Sequence, residues 1–287
     1  MSAAPPTVAD GPLALVCGGG SLPLAVADHV MARGRHVLLF ALRGAANPED
    51  FAGRDHIWVH VGQLGKLARI ARAHGCREIV LIGSLVRPSL WSIRPDWTAV
   101  KLLPRIAAGF RGGDNHLLSN VAKLVEQQGF TLRGAHEVAP EILAPLGTFG
   151  RLRASTDDEA DIALALDYLA TAGRFDIGQA AVVVNRHIVA VEAAEGTDGM
   201  LARVAALRAE GRIRVPKGVL VKAPKPQQDR RFDLPSIGPK TVEAAASAGL
   251  AGMAVIAGET VVAEPAAVAD AADRAGLFVI GVGGPAA

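Results

Sequence analysis

The sequence predicts an α/β protein of two domains, with a Rossmann-like parallel sheet in the first and a mixed α/β sheet in the second. Three observations carry this. Short apolar runs alternate with helix-periodic stretches along the chain, which is the pattern of strand–helix units. The strand-like runs of the first half are continuously apolar, as strands buried on both faces require. In the second half two apolar runs are separated only by Asn185-Arg186-His187, which reads as a hairpin and places an antiparallel pair in that sheet.

The elements follow in order. Leu13–Cys17 is a first strand, Gly18-Gly19-Gly20-Ser21 a turn, and Pro23–Arg33 a helix with proline in its first turn, closed by Gly34. His36–Phe40 and Ile57–Val61 are the next strands. Gln63–His74 repeats Leu64, Leu67, Ala68 and Ala71 at helical spacing and stops at Gly75. Glu78–Gly83 is a strand ending in glycine, Asn115–Gln128 a helix with Leu117, Leu118, Val121, Leu124 and Val125 on one face, and Thr131–Arg133 a strand. The aperiodic stretch Leu146–Ser155 reads as the connection, so the domains are expected at residues 1–145 and 146–287. Beyond it, Thr156-Asp157-Asp158-Glu159 forms a capping box before the helix Ile162–Ala172. The hairpin strands are Gln179–Val184 and Ile188–Glu192, and a helix runs from near Asp198 to Ala209. Val219–Val221, Met253–Ala257 and Leu277–Gly281 are strands, alternating with helices at Pro239–Ala248 and Pro265–Gly276.

Composition narrows the class. Of 287 residues, 50% are hydrophobic and 20% charged, enough for a sizeable core. A net charge of +2 and only 4% aromatics argue against nucleic acid as a partner. Cys17 and Cys76 each lie beside an apolar run and read as small buried hydrophobes of a reducing compartment. His56 and His60 sit in an extended run and read as strand histidines, and no zinc-type spacing occurs. The first residues carry neither a basic stretch nor a long apolar one, so no signal peptide is expected. No run approaches the ~20 apolar residues of a spanning helix. A cytoplasmic protein is expected, with peripheral membrane contact and a homodimer left open.

Residues 222–238 read K-A-P-K-P-Q-Q-D-R-R-F-D-L-P-S-I-G. Three prolines bar a helix or strand interior, so this is a surface loop fed by the strand before it. Lys222, Lys225, Arg230 and Arg231 can bind phosphate, while Asp229 and Asp233 can hold a divalent metal or orient a water. A solvated connector with mutually paired charges is the plain alternative. Against it, Arg212–Arg231 holds seven Lys/Arg with only Glu210 and Asp229 nearby. The Gly18–Pro23 turn opens a helix after a strand, a place where backbone N–H groups suit a diphosphate. It lacks the third glycine of a dinucleotide fingerprint and the G-K-[ST] of a P-loop, so a purely structural turn competes with a ligand site. Gly83-Ser84 ends another strand and can face the same crevice. Gly112-Gly113-Asp114 precedes a helix, where Asp114 is either an N-cap or a ligand group. Glu195-Gly196-Thr197-Asp198 places two carboxylates three residues apart, able to meet one cation or water, or to cap a helix.

Gly18–Pro23, Gly112-Gly113-Asp114, Glu195-Gly196-Thr197-Asp198 and Lys222–Gly238 occur in one order across most of the chain, and in that arrangement it resembles the LpxI family, UDP-2,3-diacylglucosamine pyrophosphatases of lipid A biosynthesis in some Gram-negative bacteria. The E-G-T-D and K-P-x-Q-D-x-R-x-D-x-P pieces are the most specific. The resemblance implies hydrolysis of a lipid-nucleotide substrate, UDP-2,3-diacylglucosamine, to UMP and 2,3-diacylglucosamine 1-phosphate (lipid X), with magnesium, or manganese in its place, as cofactor. It implies an N-terminal nucleotide-binding domain, a C-terminal lipid-binding domain and an active site in the interdomain cleft, at the cytoplasmic face of the inner membrane. Carried over, Gly19, Gly20, Ser21 and Leu22 hold the UDP end, with Gly83, Ser84, Gly112, Gly113 and Asp114 nearby. Glu195, Thr197 and Lys225 join the substrate site, Lys222 and Arg231 neutralise phosphoryl oxygens, and Asp198, Asp229 and Asp233 are the metal or water-orienting acids. Without the resemblance, a nucleotide-sugar transferase, a dinucleotide oxidoreductase and a non-enzymatic nucleotide- or lipid-binding protein all remain readings of the same residues.

Overall fold

The computed structural model describes residues 11–84, 122–226, 228–232, 234–262 and 264–284. The described residues up to Pro140, together with Asp229–Phe232, form one compact unit, and the rest from Glu141 onward form a second.

In the first unit, β1 (Leu13–Cys17), β2 (Val37–Leu42), β3 (His56–Val59), β4 (Glu78–Ile82) and β5 (Thr131–Arg133) make one sheet in the order β3-β2-β1-β4-β5, every neighbouring pair parallel. This is the doubly wound order, in which the direction of winding reverses between β1 and β4. Helix α1 (Leu22–Ala32) buries Val26, Ala27 and Val30 and packs on β1 and β2. Helix α2 (Leu64–Ala73) contributes Ala68 and Ala71 to a cluster with Ala14, Val16, Phe40, Ile79 and Leu132, joined by Ala122 and Val125 of a helical stretch at 122–127. Successive strand residues point to opposite faces, so Leu13, Leu15 and Cys17 lie on the other side of β1, and each is fully buried. That double burial explains the unbroken apolar strands. Both cysteines are buried free thiols, and burial pushes Cys17 up to about 12. Residues 115–121 of the helix expected at Asn115–Gln128 lie outside the described residues.

The second unit is built on β6 (Gly147–Thr148), β7 (Ala180–Val184), β8 (His187–Val191), β9 (Val219–Lys222), β11 (Gly252–Ile256) and β13 (Phe278–Val282), in the order β6-β13-β11-β9-β7-β8. β9, β11 and β13 are parallel, and antiparallel partners flank them on both sides, so the sheet is mixed. Two further short strands, β10 (Ser236–Ile237) and β12 (Val261–Val262), pair separately. Helix α3 (Thr156–Ala172) covers one face, burying Ile162, Ala165 and Leu169 against Ala181, Val183, Val219 and Val221. Helices α4 (Gly196–Ala209), α5 (Pro239–Ser247) and α6 (Pro265–Ala275) supply Met200, Leu201, Val242 and Val268 to the other face, against Val182, Leu220, Met253 and Val279.

Local details differ from the sequence expectation in instructive ways. Gly147–Thr148, inside the expected connector, is hydrogen-bonded into the second sheet, because two residues of edge pairing leave no periodic signature. The capping box begins one residue early: Ser155 Oγ accepts the Asp158 N–H, and Asp158 Oδ2 accepts the Ser155 N–H at 2.9 Å. The hairpin loop is two residues, closed by the Val184–His187 pair, with Asn185 and Arg186 at φ 50 and 61. Positive φ at both positions is the twist-matched hairpin turn, usually filled by Asn-Gly. Here the buried Asp161 carboxylate of α3 accepts both turn N–H groups, which offsets the strain at Arg186. Asp161→Ala should lower the unfolding free energy by roughly 1–3 kcal/mol, the scale of hydrogen bonds to a charged group, as read by chemical denaturation.

Candidate active site

The turn after β1 and the turn after β4 meet at the point where the sheet's winding reverses. Gly19 and Ser84 exchange backbone hydrogen bonds, N to O at 2.8 Å and 2.9 Å, and Gly18 N–H donates to Ile82 O at 2.8 Å. Side chains have no room there. A Cβ on Gly18 would lie 2.5 Å from Ser84 O, and one on Gly83 would lie 2.9 Å from the Gly18 carbonyl carbon. Three expected ligand residues, Gly19, Gly83 and Ser84, are thus engaged with one another. Gly20 differs. Its φ is +94 and a Cβ there would meet nothing within 4 Å, so its backbone faces open space. With Gly18 and Gly19 N–H committed and Pro23 lacking one, the donors this turn offers an anion include those of Gly20 and Leu22, at the positive end of α1. Ser21 is the residue before that helix and makes no side-chain cap. Beside the turn lies a cavity of about 280 Å³ with an apolar lining that includes Val16, Leu42, Val59, Leu81, Val125 and Phe232.

Asp229–Phe232, drawn from the loop at 222–238, belongs to this first unit. Phe232 packs on the cluster of Ala14, Phe40 and Ile79. Arg231 folds back on Asp229. Its backbone N–H and Nε donate to Oδ1 at 3.1 Å and 3.0 Å, its second terminal nitrogen donates to Oδ2 at 2.8 Å, and the other terminal nitrogen reaches Glu126 at 3.1 Å. The Arg231 guanidinium holds the Asp229 carboxyl below its ordinary range, against a smaller opposing effect of burial, and the Arg231 pKa is raised in return. A carboxylate offers about four lone-pair sites, and Arg231 fills three of those on Asp229, leaving one on Oδ2.

In the second unit the expected residues part company. Lys222, the last residue of β9, is only 8% exposed. Its Nζ donates to Thr197 Oγ1 at 3.0 Å and to Ser236 O at 2.9 Å. Thr197 Oγ1 donates to Glu192 Oε1 at 2.7 Å, and Glu192 Oε2 accepts the Gln179 N–H at 2.8 Å. Glu195 is exposed and paired with Arg203 at 2.6 Å, and backbone hydrogen bonding, with the Arg203 hydrogen bond after it, pulls its carboxyl down. Asp198 is exposed in the first turn of α4. Lys225 Nζ pairs with Asp176 at 2.6 Å. Gly112, Gly113, Asp114 and Asp233 lie outside the described residues.

Glu192 was not among the residues singled out from sequence, although a signal for it exists. Ala190 and Leu220 both lie in the core cluster, and side-chain alternation puts Glu192 and Lys222 on their faces. Two opposite charges carried toward one core must be paired. Among the described residues no three His, Cys, Asp or Glu side chains converge, and because Asp229 already accepts from Arg231 through both oxygens, what it could offer a cation is the lone pair left on Oδ2.

The comparisons divide the chain close to the break between the two units, although the C-terminal match takes in residues 229–232. The model for the LpxI N-terminal domain matches residues 12–142, and that for the LpxI C-terminal domain matches residues 145–280. A relative, the UDP-2,3-diacylglucosamine pyrophosphatase LpxI of Caulobacter vibrioides (strain ATCC 19089 / CIP 103742 / CB 15), is 44% identical over 278 residues, covering 94% of this chain and 97% of that protein. Among solved structures, that of the Bordetella bronchiseptica enzyme WbmG in complex with NAD and UDP matches with a TM-score of 0.28 and 19% identity, over 44% of this chain and 37% of that one, a likeness too slight to carry any argument. The family models and this relative mark the chain as an enzyme, of α/β fold with a parallel five-stranded sheet in one unit and a mixed six-stranded sheet in the other. The chain belongs to the LpxI family.

The Asp229–Arg231 fork has a pH consequence. A carboxyl lowered in the folded state contributes stability that is full above its unfolded value, about 3.9, and that is lost as pH falls through the lowered value. Arg231→Gln should move the Asp229 titration upward toward the ordinary range, as followed by carboxyl carbon NMR.

Proposed function

We propose that this chain hydrolyses UDP-2,3-diacylglucosamine to UMP and 2,3-diacylglucosamine 1-phosphate in lipid A biosynthesis, acting at the cytoplasmic face of the inner membrane where a diacylated substrate resides. The observation that carries this reading is the 44% identity to a UDP-2,3-diacylglucosamine pyrophosphatase across 94% of the chain. Among the described residues no helix is long and apolar enough to cross a membrane.

Splitting a diphosphate with water requires donors for the phosphoryl oxygens and a positioned nucleophile. In this reading Gly20 and Leu22 at the start of α1 hold diphosphate oxygens. The ionised Asp229, weakened as a base by its Arg231 fork, orients a water through the lone pair left on Oδ2 rather than taking its proton. Arg231, with Glu126 and Asp229 on either side, keeps that carboxylate in one orientation. Magnesium, or manganese in its place, is proposed as the cofactor, and when bound it neutralises diphosphate charge.

Purified protein incubated with UDP-2,3-diacylglucosamine should release UMP with magnesium present and stop when EDTA is added. Absence of UMP release with any divalent ion would reject the reading. Asp229→Ala should lower kcat by at least about a hundredfold, on the scale of lost transition-state groups, with folding retained by circular dichroism. Wild-type rates in both Asp229→Ala and Asp233→Ala would take the loop out of the chemistry.

A further inference from the structure

The Lys222–Thr197–Glu192 network has a direction that chemistry dictates. An ammonium only donates and a carboxylate only accepts. The Thr197 hydroxyl between them therefore accepts from Lys222 Nζ and sends its own hydrogen to Glu192 Oε1. The other Glu192 oxygen takes the Gln179 N–H, so both oxygens have fixed partners. Glu192 and Lys222 are each 8% exposed, and one hydroxyl links these two opposite charges.

What the network holds is the loop. Lys222 is its first residue, and the same Nζ bonds the carbonyl of Ser236, fourteen positions on. Ser236 begins β10, which is anchored on β12. The base of the loop is therefore fastened by one side chain, and Lys225, Asp229 and Arg231 all lie on the chain between its two ends. If Glu192 or the Thr197 hydroxyl is lost, a buried ammonium loses one of the acceptors that orient it, which loosens its bond to Ser236. Glu195, the acid of the sequence motif, cannot substitute, because it is exposed and engaged with Arg203.

We infer that Glu192 is a positioning residue for the reaction, acting through Thr197 and Lys222 to hold the two ends of the Lys222–Gly238 loop. The inference rests on the proposed hydrolysis for the reaction it serves, while its geometry lies wholly in the second unit.

The test compares wild type with Glu192→Gln, Thr197→Val, Thr197→Ser and the double variant Glu192→Gln/Thr197→Val. Two quantities are read: steady-state turnover of UDP-2,3-diacylglucosamine, and the rate of tryptic cleavage after Arg230 and Arg231. Glu192→Gln and Thr197→Val should each lower kcat by at least about tenfold with KM within about threefold, the signature of lost transition-state positioning. The double variant should be no worse than the poorer single one, because the two act in one chain. Thr197→Ser, which keeps the hydroxyl, should recover most of what Thr197→Val loses. Loop cleavage should rise in Glu192→Gln and Thr197→Val. Wild-type kcat in Glu192→Gln overturns the inference, as do losses that multiply in the double variant or a Thr197→Ser as impaired as Thr197→Val. Should Glu192→Gln fail to fold, the Thr197 variants decide, and wild-type kcat in Thr197→Val overturns it. A wild type without turnover rejects the proposed hydrolysis instead, and loop cleavage then decides, with unchanged rates overturning the inference.

Discussion

A buried positive charge at the end of a central strand is the constraint around which the second unit is arranged. β9 lies between β11 and β7, and its last residue, Lys222, pairs with Val255 on one side and Ala180 on the other. An ammonium in that position would be costly by several kcal/mol if left unanswered. The answer comes from elements far apart in sequence: Thr197 at the start of α4, Glu192 just past β8, and the Ser236 carbonyl of β10. Satisfying one charge thereby ties together the edge hairpin, a covering helix and both ends of the proline-rich loop.

The first unit meets the opposite requirement at its own strand ends. There the limiting quantity is space. β1 and β4 emerge side by side where the winding reverses, and the Gly18–Gly19 and Gly83–Ser84 turns press close enough that a Cβ would collide with backbone. Glycine is required by the approach of two chains, before any ligand is considered. Gly20, with its positive φ and open surroundings, is the member of the turn that this crowding spares. The Asp229–Arg231 fork adds a charged pair to the same unit, with the carboxylate oriented and kept ionised by a neighbour two residues away.

Most of the architecture was legible along the chain. The apolar runs at Leu13–Cys17, Glu78–Gly83, Gln179–Val184 and Met253–Ala257 all became strands, and the helix stops at Gly34 and Gly75 fell where expected. Double burial made the parallel strands uniformly apolar, and the short break read at Asn185-Arg186-His187 betrayed the antiparallel pair, although His187 itself belongs to β8. What escaped was short or long-range. β6, β10 and β12 are two residues each, below any periodic signal. The hairpin turn lacks its usual glycine because Asp161, in a helix 24 residues earlier, supplies the compensating acceptor.

For the site, sequence determined which chemical groups are available: a glycine turn before a helix, a loop mixing cations with acids, and the motif order that marks the LpxI family. Tertiary structure decided which of those groups are engaged and with whom. It sent Lys222 into the core instead of toward solvent, set Glu195 aside in favour of Glu192, and closed Arg231 on Asp229. The physical reason is that a charge's partner is chosen by burial and by distance in space, and for Lys222 that brought in Thr197, 25 residues away along the chain.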